Sequence, residues 1–123
     1  PCEDSYKRLG EHTAPKYVTW THENRSQLIR IPSDKENKRF ELRSADACAN
    51  PYLAFALLIY AGLDGIRNDL SLPEPTNINL YTADRSVTDV LKKLPETYAE
   101  AVTAAKNSSF IRENLPADIL ESM

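Results

Sequence analysis

The stretch NKRFELRSADACANPYL, residues 37–53, contains the change from strand to helix that decides the fold. Its first part alternates charged and apolar side chains, and alternate residues of a strand point to opposite faces. The charged face carries Arg39, Glu41 and Arg43. The apolar face, with Phe40 and Leu42, is expected to pack inward, because a slip by one residue would put it into water. Two interpretations of the charged face stay open: a solvated sheet edge, or a site that binds anions and a metal ion.

Two segments before this stretch also have the composition of strands. SQLIRIP, residues 26–32, alternates around Arg30 and is separated from KRFELR by the polar turn sequence SDKEN. These features predict an antiparallel hairpin from Gln27 to Arg43. KYVTW, residues 16–20, is aromatic and β-branched and predicts another strand, so residues 1–45 are expected to be β-rich.

The part of the chain after this stretch has the pattern of helices. Asn50 is a favoured N-cap residue and Pro51 a favoured first residue of a helix. YLAFALLIYAGLDGI follows and is apolar nearly all round, which predicts a helix buried inside the protein. Further helical segments follow the proline-rich connector SLPEPTN, so residues 50–123 are expected to be helical. The predicted fold class is α+β, one domain with antiparallel strands followed by a helical C-terminal half.

Composition narrows the classes of function. The 123 residues carry a formal net charge of −3, which argues against nucleic-acid binding. The longest apolar run, residues 52–61, is too short to cross a bilayer, so no membrane partner is expected. Cys2 and Cys48 give no disulfide framework and fit a reducing cytoplasm. The chain starts with PCEDSYKRL, without an initiator methionine, so we expect a fragment or a processed domain.

Four arginines could meet on or beside the predicted hairpin: Arg25, Arg30, Arg39 and Arg43. Their guanidinium groups would repel one another without an anionic ligand, which favours a polyanionic substrate. Glu41 among them offers a hard oxygen ligand of the kind that Mg²⁺ or Mn²⁺ prefers. For Arg30, a paired structural role is equally compatible with its aliphatic neighbours. The sequence contains no glycine-rich phosphate loop of the common types.

Four motifs, in order, resemble the C-terminal part of the catalytic domain of glutamine synthetase: SYKRL, ENRSQLIRIP, RFELR and ANPYLAFALLIYAGLDGI. The resemblance implies that residues 1–123 are a C-terminal fragment of that domain and carry part of its catalytic sheet. It implies ATP-dependent ligation of ammonia to glutamate through γ-glutamyl phosphate, with Mg²⁺ or Mn²⁺. It also implies a large homo-oligomeric ring that builds each site from two neighbouring subunits, so the isolated fragment is expected to be inactive.

The resemblance further implies roles for individual residues. ATP-binding arginines are implied at three positions: Arg25, Arg30 and Arg39. Arg25 is also expected to be catalytic. Glutamate binding is implied for Arg8 and Arg43, and metal binding for Glu41.

Two departures from the family pattern concern loops. The flap that closes the site in family members carries a glutamate that helps to deprotonate ammonium, whereas YKRLGEHTAP is one residue shorter and has Thr13 before its Ala-Pro pair. This keeps two alternatives open: a γ-glutamyl ligase for another, polyamine-like amine, or a non-catalytic structural relative. The loop between the hairpin strands is also shorter, and a family lysine there would match Lys35 or Lys38.

Overall fold

The computed structural model has the α+β class that the sequence predicts. It describes residues 1–34 and 36–123, so Lys35 in the predicted hairpin turn lies outside the described residues. The strands are β1 (Trp20–His22), β2 (Ile29–Ile31) and β3 (Glu41–Leu42). The helices are α1 (Asp4–Lys7), α2 (Pro51–Arg67), α3 (Arg85–Thr88), α4 (Tyr98–Asn107), α5 (Ser109–Asn114) and α6 (Ala117–Glu121).

The sheet is mixed rather than antiparallel throughout. β2 and β3 pair antiparallel with Arg30 opposite Glu41, which confirms the predicted hairpin. β1 pairs with β2 in parallel, with Thr21 opposite Arg30. The link between them, residues 23–28, is far shorter than the dozen or more residues that parallel neighbours usually need. A short link of this kind favours a direct, antiparallel return of the chain. Because β2 instead runs parallel to β1, the prediction of antiparallel strands is wrong for β1.

Polar side chains form much of the buried layer beside the sheet. Thr21 and Gln27 have no exposed surface. The amide nitrogen of Gln27 donates hydrogen bonds of 2.8 Å to the carbonyl oxygens of Thr76 and Ile78. Both acceptors belong to the connector between α2 and α3, residues 68–84. Because buried polar groups are stable only when they are paired, these bonds hold the connector against the sheet.

Helix α2 begins as predicted but is not buried within the described chain. The side chain of Asn50 caps it by accepting hydrogen bonds from the backbone N–H groups of Tyr52 and Leu53, at 3.0 and 3.3 Å. None of its 17 residues is buried, although α2 packs on α5. The prediction of a buried helix is therefore wrong here, because its apolar residues extend past the elements that could cover them. No helix among the described residues has the length and apolarity needed to span a membrane.

The apolar face predicted around β3 is also partly open. Phe40 is 57% exposed, so the prediction that it packs inward is wrong within the described chain. The strand begins only at Glu41, and Phe40 therefore lies just outside the paired part of the sheet. Leu42 lies within the pairing and is half-buried.

Candidate functional site

The register of the hairpin places a carboxylate opposite a guanidinium group. Arg30 and Glu41 face each other across β2 and β3, and Arg30 Nη1 lies 2.9 Å from Glu41 Oε2. Arg30 Nε also donates a 2.7 Å hydrogen bond to the backbone carbonyl of Glu23. The two contacts fix the plane of the guanidinium group. Strand alternation thus brings together two residues that the sequence singled out.

Two more arginines act on Glu41. Arg39 Nη2 lies 3.7 Å from Glu41 Oε1, while Arg39 Nη1 lies 3.3 Å from Asp34 Oδ2. The hydrogen bond from Arg30 is the main cause that lowers the pKa of Glu41 below its usual value. Desolvation raises that pKa, but the positive charges of Arg39 and Arg25 lower it further. Glu41 is therefore ionised at neutral pH, which is the state that a metal ligand requires.

Arg25 lies in a turn that is held through its backbone and its neighbours. The hydroxyl of Tyr81 donates a 3.1 Å hydrogen bond to the carbonyl of Arg25. Ser26 Oγ donates to Asn24 Oδ1 at 2.9 Å and accepts a 2.9 Å bond from the backbone N–H of Leu80. The side chain of Arg25 is exposed. The turn therefore fixes the backbone while its guanidinium group stays accessible to a ligand.

Arg43, the last charged residue of the opening alternation, contacts the loop that contains Thr13. Arg43 Nη2 donates a 3.1 Å hydrogen bond to the backbone carbonyl of Thr13. Arg43 Nη1 is a buried atom that has no hydrogen-bond partner among the described residues. A buried donor without a partner is costly, so this nitrogen is suited to an anionic ligand.

Arg8 joins α1 to the loop that follows β3. Its Nη2 donates to the carbonyl of Ser44, and its Nε lies 3.5 Å from Asp46 Oδ2. This ion pair lacks hydrogen-bond geometry, and Nε is a buried atom without a hydrogen-bond partner in the described part of the chain. Because Ser44 follows Arg43, Arg8 lies on the Arg43 side of the site. Arg8 also borders a cavity of about 300 Å³.

Three residues that position the site were missed by the sequence analysis. Tyr81, Ser26 and Asp46 contact residues that are 56, 54 and 38 positions away along the chain: Arg25, Leu80 and Arg8. Local pattern cannot show such contacts, because it reports which face a side chain takes but not which distant segment covers that face.

The fit of the site to a metal ion is partial. The described residues contain no group of three or more His, Cys, Asp or Glu side chains that could hold a metal ion. Glu41 can therefore be one ligand, but the described residues do not supply a complete set of three such ligands. Its ionised carboxylate is of the right chemical type for Mg²⁺ or Mn²⁺.

Comparison with known proteins gives a consistent family. The family described as "Glutamine synthetase, catalytic domain" matches residues 1–123. The glutamine synthetase of Methanosarcina mazei is 44% identical over 119 residues, which are 94% of this chain and 27% of the relative. The glutamine synthetase of Staphylococcus aureus is 43% identical over 119 residues, which again are 94% of this chain and 27% of the relative. The chain thus spans about 27% of the length of these relatives.

A solved structure supports the same arrangement of elements. "GmaS/ADP complex-Conformation 1" superposes on the chain with a TM-score of 0.77 at 30% sequence identity. The match covers 95% of this chain and 28% of that one.

Proposed function

The chain belongs to the glutamine synthetase catalytic-domain family, and from this membership we propose that its residues form the C-terminal part of an ATP-dependent ligase. The ligase joins ammonia to glutamate and releases glutamine, ADP and phosphate. The longer protein that would contain these residues is called the full-length protein below. The 123 residues alone are expected to be inactive, because they supply one part of the site.

One observation carries the proposal: Glu41 is surrounded by arginines on and beside the small sheet. Arg30 and Arg39 lie at 2.9 and 3.7 Å from its carboxylate, and Arg25 is close enough to lower its pKa. Phosphoryl transfer depends mainly on positioning and on neutralising charge at the phosphate oxygens. We therefore assign Arg25, Arg30 and Arg39 to ATP, with Arg25 as the catalytic arginine.

The glutamate substrate is assigned to the other side of the site. Among the described residues, the buried side-chain nitrogen atoms without hydrogen-bond partners belong to Arg8 and Arg43. The Arg43 donor suits a carboxylate oxygen of an amino acid, since carboxylates pair well with guanidinium groups, whereas Arg8 Nε is already ion-paired with Asp46 and Arg8 is assigned to glutamate from family membership. The unpaired Arg43 donor also weighs against a purely structural relative, because a scaffold gains nothing from an unpaired buried donor.

The reaction proceeds in two balanced steps. A γ-carboxylate oxygen of glutamate attacks the γ-phosphorus of ATP, and the bond to the ADP oxygen breaks. The lone pair of ammonia then attacks the acyl carbon, the carbon–oxygen bond to phosphate breaks, and phosphate leaves with the electron pair. The nitrogen loses a proton to water, which leaves the amide. The guanidinium groups of the site hold the phosphate and carboxylate charges in place during both steps.

Mg²⁺ or Mn²⁺ is the proposed metal, and Glu41 is the residue of this chain that would bind it. When bound, such an ion neutralises negative charge on the phosphate oxygens.

We also propose a large homo-oligomeric ring and a cytoplasmic location. The location is supported by Cys2 and Cys48, which are both free and exposed.

Substitution of Arg25 tests the proposal in the full-length protein. Arg25→Ala should lower kcat for ATP- and glutamate-dependent phosphate release by about 100-fold or more, because one donor to the transferring charge is lost. Arg67→Ala is the matched control, since Arg67 is an exposed arginine in the last turn of α2. If both variants have equal activity, Arg25 is not a catalytic residue. If the wild type shows no ATP-dependent reaction, the proposed function is wrong.

A second candidate function is a γ-glutamyl ligase that uses another amine. It is favoured by Thr13, which stands where the family flap carries a glutamate, and whose carbonyl is held by Arg43 at 3.1 Å. A threonine offers no carboxylate to accept a proton from ammonium. Comparison of ammonium with substituted amines as substrates of the full-length protein separates the two candidates.

A further inference from the structure

The chain leaves β1 through a residue with an unusual backbone conformation. Glu23 directly follows β1 and has φ +68°, in the left-handed region that glycine tolerates and other residues rarely adopt. Its side chain is exposed, so packing of that side chain does not impose the conformation. Strained residues of this kind persist only where neighbouring groups hold them, and they cluster at functional sites. The contacts of Glu23 therefore bear on the site.

Three groups of Glu23 bind the segment of residues 30–33. Its backbone N–H donates to the carbonyl of Ile31 at 3.1 Å, and its carboxylate oxygen Oε1 accepts a 2.5 Å hydrogen bond from the backbone N–H of Ser33. Its carbonyl oxygen accepts the 2.7 Å hydrogen bond from Arg30 Nε. The first two bonds tie Glu23 to the end of β2 and to the chain just beyond it, while the third holds a side chain of the site.

The bond to Arg30 is the one that reaches the site. The guanidinium group of Arg30 is planar, so a partner fixed at Nε sets the direction of its terminal nitrogens. One of these, Nη1, lies 2.9 Å from Glu41 Oε2, and the side chain of Arg30 is only 14% exposed. Rotation about φ of Glu23 would swing its carbonyl oxygen away from Nε. The left-handed conformation and the position of the Arg30 guanidinium group are therefore linked.

We propose that Glu23 is a positioning residue, whose left-handed backbone points its carbonyl oxygen at Arg30 and so places Arg30 for the binding of ATP. The inference rests on the proposed function, which assigns Arg30 to ATP. It attributes the effect to the backbone of Glu23 and not to its carboxylate. Glycine at this position would therefore keep the effect, whereas a β-branched residue, which is strongly disfavoured at positive φ, would lose it.

A structural role of the carboxylate is the competing explanation. The carboxylate bonds to Ser33, and hydrogen bonds from Ser33 are the main cause that lowers the pKa of Glu23. If these bonds merely stabilise the end of β2, all variants without the carboxylate should behave alike. Two variants that both lack the carboxylate but differ in backbone preference separate the explanations.

The first experiment compares Glu23→Gly with Glu23→Val in the full-length protein. Phosphate release is measured with ATP, glutamate and ammonium, and KM is determined for ATP and for glutamate. Glu23→Val should raise KM for ATP about tenfold, because a hydrogen bond to a charged group is lost. Glu23→Gly should stay within about twofold of the wild type, because glycine accepts a positive φ. KM for glutamate should change less than about twofold in both variants, because glutamate is assigned to the other side of the site.

Two further variants are controls. Asp69 is exposed, follows the C-terminal cap of α2 and also has a positive φ, +48°. Asp69→Val therefore introduces the same kind of backbone strain at the end of α2, and should leave both KM values within about twofold of the wild type. Glu23→Gln keeps the backbone carbonyl and an oxygen that can accept the bond from Ser33, so it should also stay within about twofold.

If Glu23→Val yields no folded protein, Glu23→Ala decides instead. Alanine also lacks the carboxylate, and it disfavours a positive φ less strongly than valine does. KM for ATP should then be about threefold higher in Glu23→Ala than in Glu23→Gly.

The outcomes separate this inference from the proposed function. An equal rise in KM for ATP in Glu23→Gly and Glu23→Val would overturn the inference, as would an equal rise in Asp69→Val. A lower kcat with unchanged KM for ATP in Glu23→Val would also overturn it, since a purely structural role only reduces the amount of active protein. In each of these cases the ligase function stands. Absence of phosphate release by the wild type with ATP, glutamate and ammonium would instead overturn the proposed function.

Discussion

The layer beside the sheet and helix α2 reverse the usual positions of polar and apolar side chains. Beside the sheet, Gln27 and Thr21 are fully buried and bonded to the connector. On α2, large apolar side chains lie in the open, with Tyr52 85% and Ile59 64% exposed. Both regions are uncommon in globular proteins, where apolar side chains are the ones most often buried.

The difference shows which region is complete. The buried side chains of Gln27 and Ser26 find their hydrogen-bond partners within this chain, so the contact between the sheet and the connector is complete here. The apolar residues of α2 have no comparable cover. The exposed stripe of α2 consists of Tyr52, Phe55, Ile59, Leu63 and Ile66, which recur at helical spacing on one face.

The relatives suggest what covers this stripe. The chain spans about 27% of their length, so most of a family member lies outside it. Gly62 lies within the same face of α2, and a Cβ atom there would meet nothing within 4 Å. We therefore expect another part of the full-length protein to pack closely on the stripe.

The largest effect should come from a charge placed in the stripe of α2. Ile59→Asp should reduce the stability of α2 in the full-length protein by about 3 kcal/mol or more, because a covered carboxylate would have no partner. Hydrogen exchange of the α2 amides measures this free energy.

The control for that change is Val90→Asp. Val90 is 82% exposed and lies outside the stripe, so its substitution should cost less than about 0.5 kcal/mol. If the two variants behave alike, the stripe is exposed in the full-length protein as well, and the contrast between the regions disappears.

A smaller effect should follow from loss of the polar layer beside the sheet. Gln27→Leu should cost about 2 kcal/mol, because the fully buried amide of Gln27 and its hydrogen bonds to the carbonyl oxygens of Thr76 and Ile78 would be lost. Hydrogen exchange of the connector amides in the full-length protein reports the change. Asn68→Leu is the comparison, since Asn68 bonds to Asp64 at an exposed helix end. An equal loss of stability in the Gln27 and Asn68 variants would mean that burial of Gln27 adds nothing to the stability of the connector.

The smallest effect should come from the start of α2. Asn50→Ala should cost about 1 kcal/mol, because two backbone N–H groups of the first turn would lose their side-chain acceptor. Hydrogen exchange at the first turn of α2 detects the loss. Asn50→Ser should retain most of the stability, since serine is also a good N-cap residue. Identical results for Ala and Ser would contradict the capping role.

Local pattern was sufficient for several parts of the fold and site. The alternation in SQLIRIP and KRFELR predicted the antiparallel hairpin, because strand geometry alone assigns alternate residues to opposite faces, and the structure then showed Arg30 opposite Glu41. The cap at Asn50 was likewise readable, because a cap involves only its own first turn. The ordered motifs identified the family, which the comparison then confirmed.

Other parts depended on contacts between distant segments. The parallel pairing of β1 with β2 contradicted the spacing rule, and the contact of Tyr81 with Arg25 joins residues 56 positions apart. The apolar pattern of α2 predicted a burial that the described chain does not show, because the pattern does not say which surface provides the cover.

The sequence by itself thus determined the family, the α+β class, the hairpin and the start of α2, because these follow from short-range geometry and from motifs. The tertiary structure decided the rest: the buried polar layer, the turn that presents Arg25, and the cavity beside Arg8. The physical reason is that pairing of buried polar groups and the shape of a cavity depend on which distant segments meet. That meeting is a property of the folded chain as a whole.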